Sequence, residues 1–307
     1  MDNLENQVDS LLNYTIARIS ALEPDAGAKL QQFTTQSGPV FQARAEQFFR
    51  HFQRFLESKG LTFDYGIECY IKMRDSMALE HREFLQNQKY SSTSFAEVAA
   101  RVYHNPDVMQ HHMYGLVFAQ FLWPMQYHRY SFFCDTFPSY APRVTSYLEL
   151  GGGHALYTAE ADSILAPTAR IDVVDISASS LELAQGMMPD SRIVWHHADI
   201  FDYVPERQYD FITIGEVLEH LEDPLAMLRR IRELLAPNGS AYVTTPANAP
   251  MIDHIYLFNN AQEIRDMLAA AGFAIESETS MFASPISPAR AEKLKVPLMY
   301  AAFVKPA

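Results

Sequence analysis

Cysteine is nearly absent from this chain: Cys69 and Cys134 are the two in 307 residues. That excludes a disulfide framework. Neither has a second cysteine at metal-binding spacing, so a reducing compartment fits. Positive charge is also scarce. Lysine and arginine number 24 against 37 aspartates and glutamates, a formal net charge of −13, whereas a nucleic-acid surface needs clustered cations. The one modest basic cluster, Arg229, Arg230 and Arg232, falls on a predicted helix and reads as its solvated face, so no nucleic-acid partner is expected. A membrane-spanning run is missing too: the most apolar stretch, residues 113–125, is short and interrupted by Gln120 and Pro124. Met1-Asp2-Asn3-Leu4-Glu5 has no basic region ahead of an apolar core, so no signal peptide is read and a cytoplasmic location is expected. Internal repeats and low-complexity segments are lacking.

What is present is an ordinary folded composition, 48% hydrophobic and 20% charged, long enough for one large or two medium domains. The first 140 residues read as helices only. Leu4, Val8, Leu11, Leu12, Ile16 and Ile19 recur on one helical face. Val40, Phe41, Phe48, Phe49, Phe52, Phe55 and Leu56 do the same, and Gly60 is placed to end that helix. This aromatic stripe is expected to be packed core or, in part, the face of a homodimer. Ser94 with Glu97 forms a capping box ahead of Val98 and Val102, and Asn105-Pro106 supplies an N-cap followed by proline at the first helical position.

Near Pro142 the pattern changes. Short apolar runs near 146–150, 170–175, 193–197, 211–214 and 240–245 alternate with helical patterns near 155–163, 180–187, 224–235 and 261–271. That alternation marks a largely parallel sheet with crossover helices. The last two strands, near 273–279 and 297–304, are expected to be joined by loop alone and to pair antiparallel. The expected division is 1–140 as a helical lid and dimerisation domain and 141–307 as a doubly wound, seven-stranded α/β domain. Its ligand belongs at the C-terminal ends of the strands.

The densest signal is Tyr147-Leu148-Glu149-Leu150-Gly151-Gly152-Gly153-His154-Ala155, a strand running through three glycines into a helix. Side chains there would hold a ligand away from the backbone and the helix N-terminus. A nicotinamide-dependent oxidoreductase would use the same device, but its fingerprint asks for a glycine five residues after the first, and that position is Leu156. Glu149, Gly151, Gly153 and Ala155 instead resemble the acidic-x-Gly-x-Gly-x-small loop of class I S-adenosylmethionine (SAM) methyltransferases, with alanine where the family usually has a last glycine. The later strands and their loops resemble that family in order as well. Asp175 closes the second strand and Asp199 comes after the third. Gly215-Glu216-Val217-Leu218-Glu219-His220-Leu221 succeeds the fourth, Asp223-Pro224 caps the next helix, and Pro237-Asn238-Gly239 turns into the fifth.

The resemblance covers residues 140–307 and implies a Rossmann-like fold, SAM as cofactor and methyl transfer. It implies that Glu149, Gly151, Gly152, Gly153, Gly215 and Glu216 line the cofactor and that Asp175 accepts both ribose hydroxyls. Asp199 would bind the adenine amino group, with Ile176 and Ile200 sandwiching the ring. A non-catalytic interaction protein that keeps the fold is the alternative from another class.

A sulfonium already activates its methyl group, so alignment in a closed, dry site is the protein's main task. Candidate acceptor-facing catalytic residues are Tyr127, His128 and Tyr130 at the end of the helical region and Asp253, His254 and Tyr256 after the fifth strand. Glu216 could hold an ammonium group. This set suggests a small polar metabolite as substrate, an amino acid or derivative methylated on nitrogen or sulfur, with methionine-like thioethers included. Metal-dependent C-methylation of a 2-keto acid is the alternative. The 11 histidines include His111-His112 and His196-His197, but none has His-Glu-x-x-His spacing and no carboxylate accompanies them at metal-site spacing, so no metal is expected, with a site assembled from distant residues such as His128 and His254 as the alternative.

Overall fold

The structure is a computed structural model that describes residues 10–103, 105–189 and 191–307; Leu4 and Val8 of the first apolar stripe lie outside them. Helix α1 (Leu11–Leu22) starts where the Ser10 hydroxyl accepts from Asn13 N. Helix α2 (Pro24–Ser58) bends at Gly38, whose φ of 77° no helix tolerates, and at the Pro39 that comes next. It ends as the sequence expects: Gly60 sits at φ 70°, its N–H bonds Glu57 O, and Leu61 N bonds Leu56 O, the paired closure of a glycine C-cap. Next come α3 (Phe63–Asn87), α4 (Phe95–Val98) running into a π-helical turn Ala99–Tyr103, α5 (Pro106–Leu122) and α6 (Pro124–Thr136). Asn105 caps α5 through Val108 N. At α4 the Ser94 hydroxyl accepts from Glu97 N, while the Glu97 carboxylate takes the Thr93 amide, one residue earlier than a strict capping box.

The aromatic stripe of α2 is core. Phe41, Phe49 and Phe52 have no exposed surface; Phe49 lies 5.1 Å from Phe118 and Phe41 6.0 Å from Phe121, centroid to centroid. This corrects the expectation of a dimer face in that stripe, because its rings already fill the space against α3 and α5. Val40 is the member left outside.

The sheet contains β1 (Ser146–Leu150), β2 (Arg170–Asp175), β3 (Val194–His197), β4 (Tyr209–Gly215), β5 (Leu235–Ala247), β6 (Phe273–Phe282) and β7 (Leu298–Pro306). Their order is β3-β2-β1-β4-β5-β7-β6. The first five are parallel, and β7 inserts antiparallel between β5 and β6. Helices α7 (Leu156–Ile164), α8 (Ala178–Met187), α9 (Pro224–Leu234) and α10 (Ala261–Ala270) are the crossovers. The link between β6 and β7 is not loop alone: it carries α11 (Pro288–Lys293), six residues opened by a proline and too short to show a period. Strand order reverses between β1 and β4, which places the ligand crevice at their C-terminal ends.

One apolar core runs from the helices into one face of the sheet, where Phe133 stacks on Phe137 at 4.8 Å and Tyr140 on Phe303 at 5.1 Å. The opposite face, with Leu148, Leu150, Ile212 and Ile214, packs on α9 and α10. Helices α2 and α8 meet closely enough that a Cβ on Gly186 would lie 2.3 Å from the Phe55 ring. Among the described residues no helix is long and apolar enough to cross a membrane.

Candidate active site

A cleft of about 1150 Å3 opens at the C-terminal ends of β1, β2, β4 and β5, roofed by α3, the π-helical turn, α5 and α6. It exceeds the usual volume of a single ligand pocket. All ten residues nominated for the cofactor border it: Glu149, Gly151, Gly152, Gly153, Asp175, Ile176, Asp199, Ile200, Gly215 and Glu216.

The glycine loop has no room for side chains. A Cβ on Gly152 would lie 2.3 Å from Val173 Cγ1, and one on Gly151, which also has φ 68°, 2.4 Å from Val217 Cγ2. Ala155 adopts φ 59° in the same loop, so this chain keeps the loop shape with an alanine in the left-handed region, at about 1–2 kcal/mol. Asp175 ties the loop to β2 by accepting from Gly153 N (3.2 Å) and Ser177 N (2.7 Å). Burial raises its pKa although both N–H groups oppose the shift. Beneath the loop the Glu149 carboxyl takes a hydrogen bond from the Thr158 hydroxyl, and burial pushes its pKa to about 8. Asp199 lines the cleft while its Oδ1 accepts from Phe201 N, closing its own turn.

The other half of the cleft differs from the sequence expectation. Glu216, Asp253 and His254 border it, but Tyr127, His128, Tyr130 and Tyr256 do not. Tyr127 packs 4.6 Å from Phe41, His128 Nε2 meets Thr279 Oγ1 at 2.7 Å, Tyr130 donates to Glu160, and Tyr256 lies 4.7 Å from Phe258. The reason is helical phase: Gln126 and Arg129, three residues apart, share the face of α6 toward the cleft. Positions 127 and 128 therefore look elsewhere, and Tyr130, although four residues after Gln126, is turned to Glu160 by its hydrogen bond.

Arg129 is the important residue that sequence reasoning passed over. It is buried, with Nη1 2.6 Å from Glu216 Oε1 and 3.0 Å from Thr244 Oγ1 and Nη2 3.2 Å from Gln120 Oε1; its Nε is buried without a partner. The Glu216 charge is thus already paired. His112, from α5, was also missed as a site residue: its Nε2 lies 3.2 Å from Asp253 Oδ2, both side chains 5% exposed. Burial opposes ionisation of Asp253, yet His112 and then His220 hold its carboxyl far below the usual range. Burial, then His220, pushes His254 down to about 3, so its ring is neutral. Burial, then Glu216, holds the Glu219 carboxyl well above the ordinary value. Tyr103 projects from the π-helical turn into the cleft, and burial, then Asp253 and Asp175, keeps its hydroxyl protonated.

A family model described as "Methyltransferase domain" matches residues 125–278. Trans-aconitate 2-methyltransferase of Methylobacterium radiotolerans is 34% identical over 111 residues, 36% of this chain and 41% of that protein. Ubiquinone biosynthesis O-methyltransferase of Aromatoleum aromaticum is 26% identical over 102 residues, 32% of this chain and 42% of that protein. The chain spans about two fifths of the length of the curated relatives it matches. Among solved structures, the plantazolicin methyltransferase BpumL in complex with S-adenosylhomocysteine (SAH) is similar with a TM-score of 0.50 at 15% identity, over 75% of this chain and 99% of that one. At that identity the likeness is one of fold.

Proposed function

This chain belongs to the methyltransferase-domain family, whose model spans residues 125–278, and we propose that it transfers a methyl group from SAM to an oxygen of a small metabolite. The observation that carries the reading is a single cleft running from Asp175 to a buried His112–Asp253 pair.

The residues present suit SAM. Asp175 offers an anion for a ribose diol, Ile176 and Ile200 offer apolar faces for an adenine, and the glycine loop leaves its backbone bare. Arg129 is already paired with Glu216 through Nη1, and its unpartnered Nε keeps one N–H for the carboxylate of a methionyl group. When bound, SAM supplies a methyl group already activated on a positive sulfur.

The chain's own contribution is a proton acceptor in a dry place. The Asp253 carboxylate only accepts, so the His112 nitrogen beside it, Nε2, carries the ring proton and Nδ1 holds the lone pair. Nδ1 takes the proton of an acceptor hydroxyl as the oxygen becomes the nucleophile. Met109 and Met113 of α5 and Trp123 wall the cleft with apolar surface.

This geometry favours oxygen over the amine or thioether of the sequence reading. Glu216, the group set aside for an ammonium, is neutralised by Arg129, and the tyrosines meant to enclose the reacting atom face away from the cleft. A thioether needs no base, whereas a hydroxyl does. The name of one relative, an O-methyltransferase, is in line with this.

The test is SAM turnover with a panel of hydroxy acids, phenols, amino acids and thioethers, with His112→Ala alongside the parent chain. We expect turnover with oxygen acceptors and a kcat loss of roughly 10²–10⁴-fold in His112→Ala, with SAH affinity unchanged. Turnover confined to amines or thioethers, or full kcat without His112, would refute it.

A further inference from the structure

Beside the proposed base, three side chains converge with no hydrogen bond among them. Glu219 and His220, from the single turn Leu218–His220 after β4, meet His254 from the loop after β5. One donor atom of each lies within 4.8 Å of the other two, and all three residues border the cleft. Glu219 Oε2 accepts from Thr245 Oγ1 at 2.8 Å, but Oε1 is buried and has no partner. The ring nitrogen facing it, His220 Nε2, stands 3.9 Å away, beyond hydrogen-bond reach.

The tautomers are set by the backbone. His220 Nδ1 lies 2.9 Å from Asp253 O and His254 Nδ1 2.6 Å from Ala249 O. A carbonyl oxygen only accepts, so each Nδ1 carries the proton and each neutral ring keeps its lone pair on Nε2. Ligating histidines are held in this way, with the second nitrogen donating to a carbonyl or carboxylate. The loop itself is clamped to the turn, because the Glu219 carbonyl accepts from both Ile255 N and Tyr256 N, at 2.8 and 2.9 Å. Two ligands each about 2.1 Å from a shared ion stand roughly 3–4 Å apart, so a separation too long for a hydrogen bond suits a common cation.

We propose that Glu219, His220 and His254 form a two-histidine, one-carboxylate site for a divalent first-row transition cation whose remaining coordination positions open onto the cleft. Imidazole ligands favour zinc, iron or cobalt over calcium or magnesium. Three protein ligands leave room for an acceptor that offers two neighbouring oxygens, such as a hydroxyl or keto group next to a carboxylate. That acceptor class rests on the oxygen-methylation reading, whereas the cation site stands on its own geometry. The site was hidden in the sequence because its members come from two loops and the needed carboxylate precedes one histidine while the other is 34 positions further on.

The test is titration of the chelator-stripped full chain with cobalt(II) and zinc(II), read by calorimetry and visible absorption, with SAH calorimetry on the same samples. We expect one equivalent bound and an affinity lowered at least about tenfold in His254→Ala and Glu219→Gln, but unchanged in His128→Ala. SAH binding that persists in the variants shows that they are folded. Should a variant fail to fold, the parent's cobalt spectrum decides: d–d bands that shift from those of the hexaaqua ion and saturate at one equivalent support the site, and an unshifted hexaaqua spectrum overturns it. Binding absent from the parent, or equal in all variants, overturns it too. SAH that fails to bind the parent would sink the cofactor reading and leave the cation result untouched.

Discussion

Asp175→Ala is the substitution that most directly tests the cofactor half of the cleft. The carboxylate is 7% exposed and already accepts two backbone N–H groups, from Gly153 and Ser177. The residue borders the cleft, where the proposed ribose hydroxyls would donate to a charged acceptor. Hydrogen bonds to charged groups contribute about 1.5–3 kcal/mol each, and part of that is recovered by water in the variant. The expected loss of SAH affinity is therefore about 2–4 kcal/mol, roughly 30- to 1000-fold in Kd. Asp175→Asn keeps the shape and one acceptor but not the charge, and should lose about half as much. The alanine variant also frees two buried N–H groups, so its stability must be measured by urea denaturation and the calorimetry run well below its transition. A pH series sharpens the test. Binding uses the ionised carboxylate and burial raises the pKa of Asp175 above the usual value, so affinity should fall as pH drops through that raised pKa, at higher pH than an ordinary aspartate would cause. The asparagine variant should lack the fall. SAH affinity within twofold of the parent in a folded Asp175→Ala chain would refute the assignment.

Gly152→Ala drives a Cβ to 2.3 Å from Val173 Cγ1, a stiff side chain with no exposed surface; overpacking should cost about 1–3 kcal/mol in urea denaturation and weaken SAH binding, and parent-like stability would contradict the loop geometry. Glu149 has a folded pKa of about 8 against the usual 4.5. Its stabilising contribution is therefore complete below pH 4.5 and lost as pH rises toward 8, by several kcal/mol at about 1.4 per unit. Glu149→Gln should match the parent near pH 4 and exceed it near pH 9, and an identical pH slope in the two chains would argue against the shift. A chain beginning at Arg143 removes the helical side of a shared core, so it should be poorly soluble and fail to bind SAH; a monomeric, soluble truncation with parent affinity would overturn that.

Strands β1 and β2 were legible to the residue, because each is an apolar run ended by glycine or by a turn, and such signals are local. The antiparallel pairing of β6 and β7 could be read from their spacing, although α11 between them could not. The insertion of β7 beside β5 is a long-range choice that no local pattern encodes. The site divides in the same way. Gly151, Asp175 and Asp199 sit at strand ends, where position in the chain dictates position in the cleft. His112 reaches Asp253 from 141 positions away. Arg129 was obscured by helical phase, since its neighbours Tyr127, His128 and Tyr130 look more chemical and point elsewhere. The aromatic stripe of α2 could be read as core or interface because both demand the same residues; only the packing of Phe118 and Phe121 onto it decides.

That packing also changes what a helical region can do for the site. A lid that swings as a unit needs a thin, polar seam. Here Phe133 and Phe137 of the helical side lie in the same apolar core as Tyr147, Phe211, Tyr242 and Phe303 of the sheet, and Gly186 lets α8 approach Phe55 more closely than any side chain would allow. The seam is continuous with the interior of the protein, and α2, α5 and α6 all contribute residues to the wall of the cleft. The family match begins at residue 125, inside α6, rather than at the first strand. Arg129 and Gln126 are supplied by that helix, and His112 by α5. The helical region therefore lines the cleft as well as covering it, so that one cleft joins the glycine loop on the sheet to the His112–Asp253 pair beneath the helices.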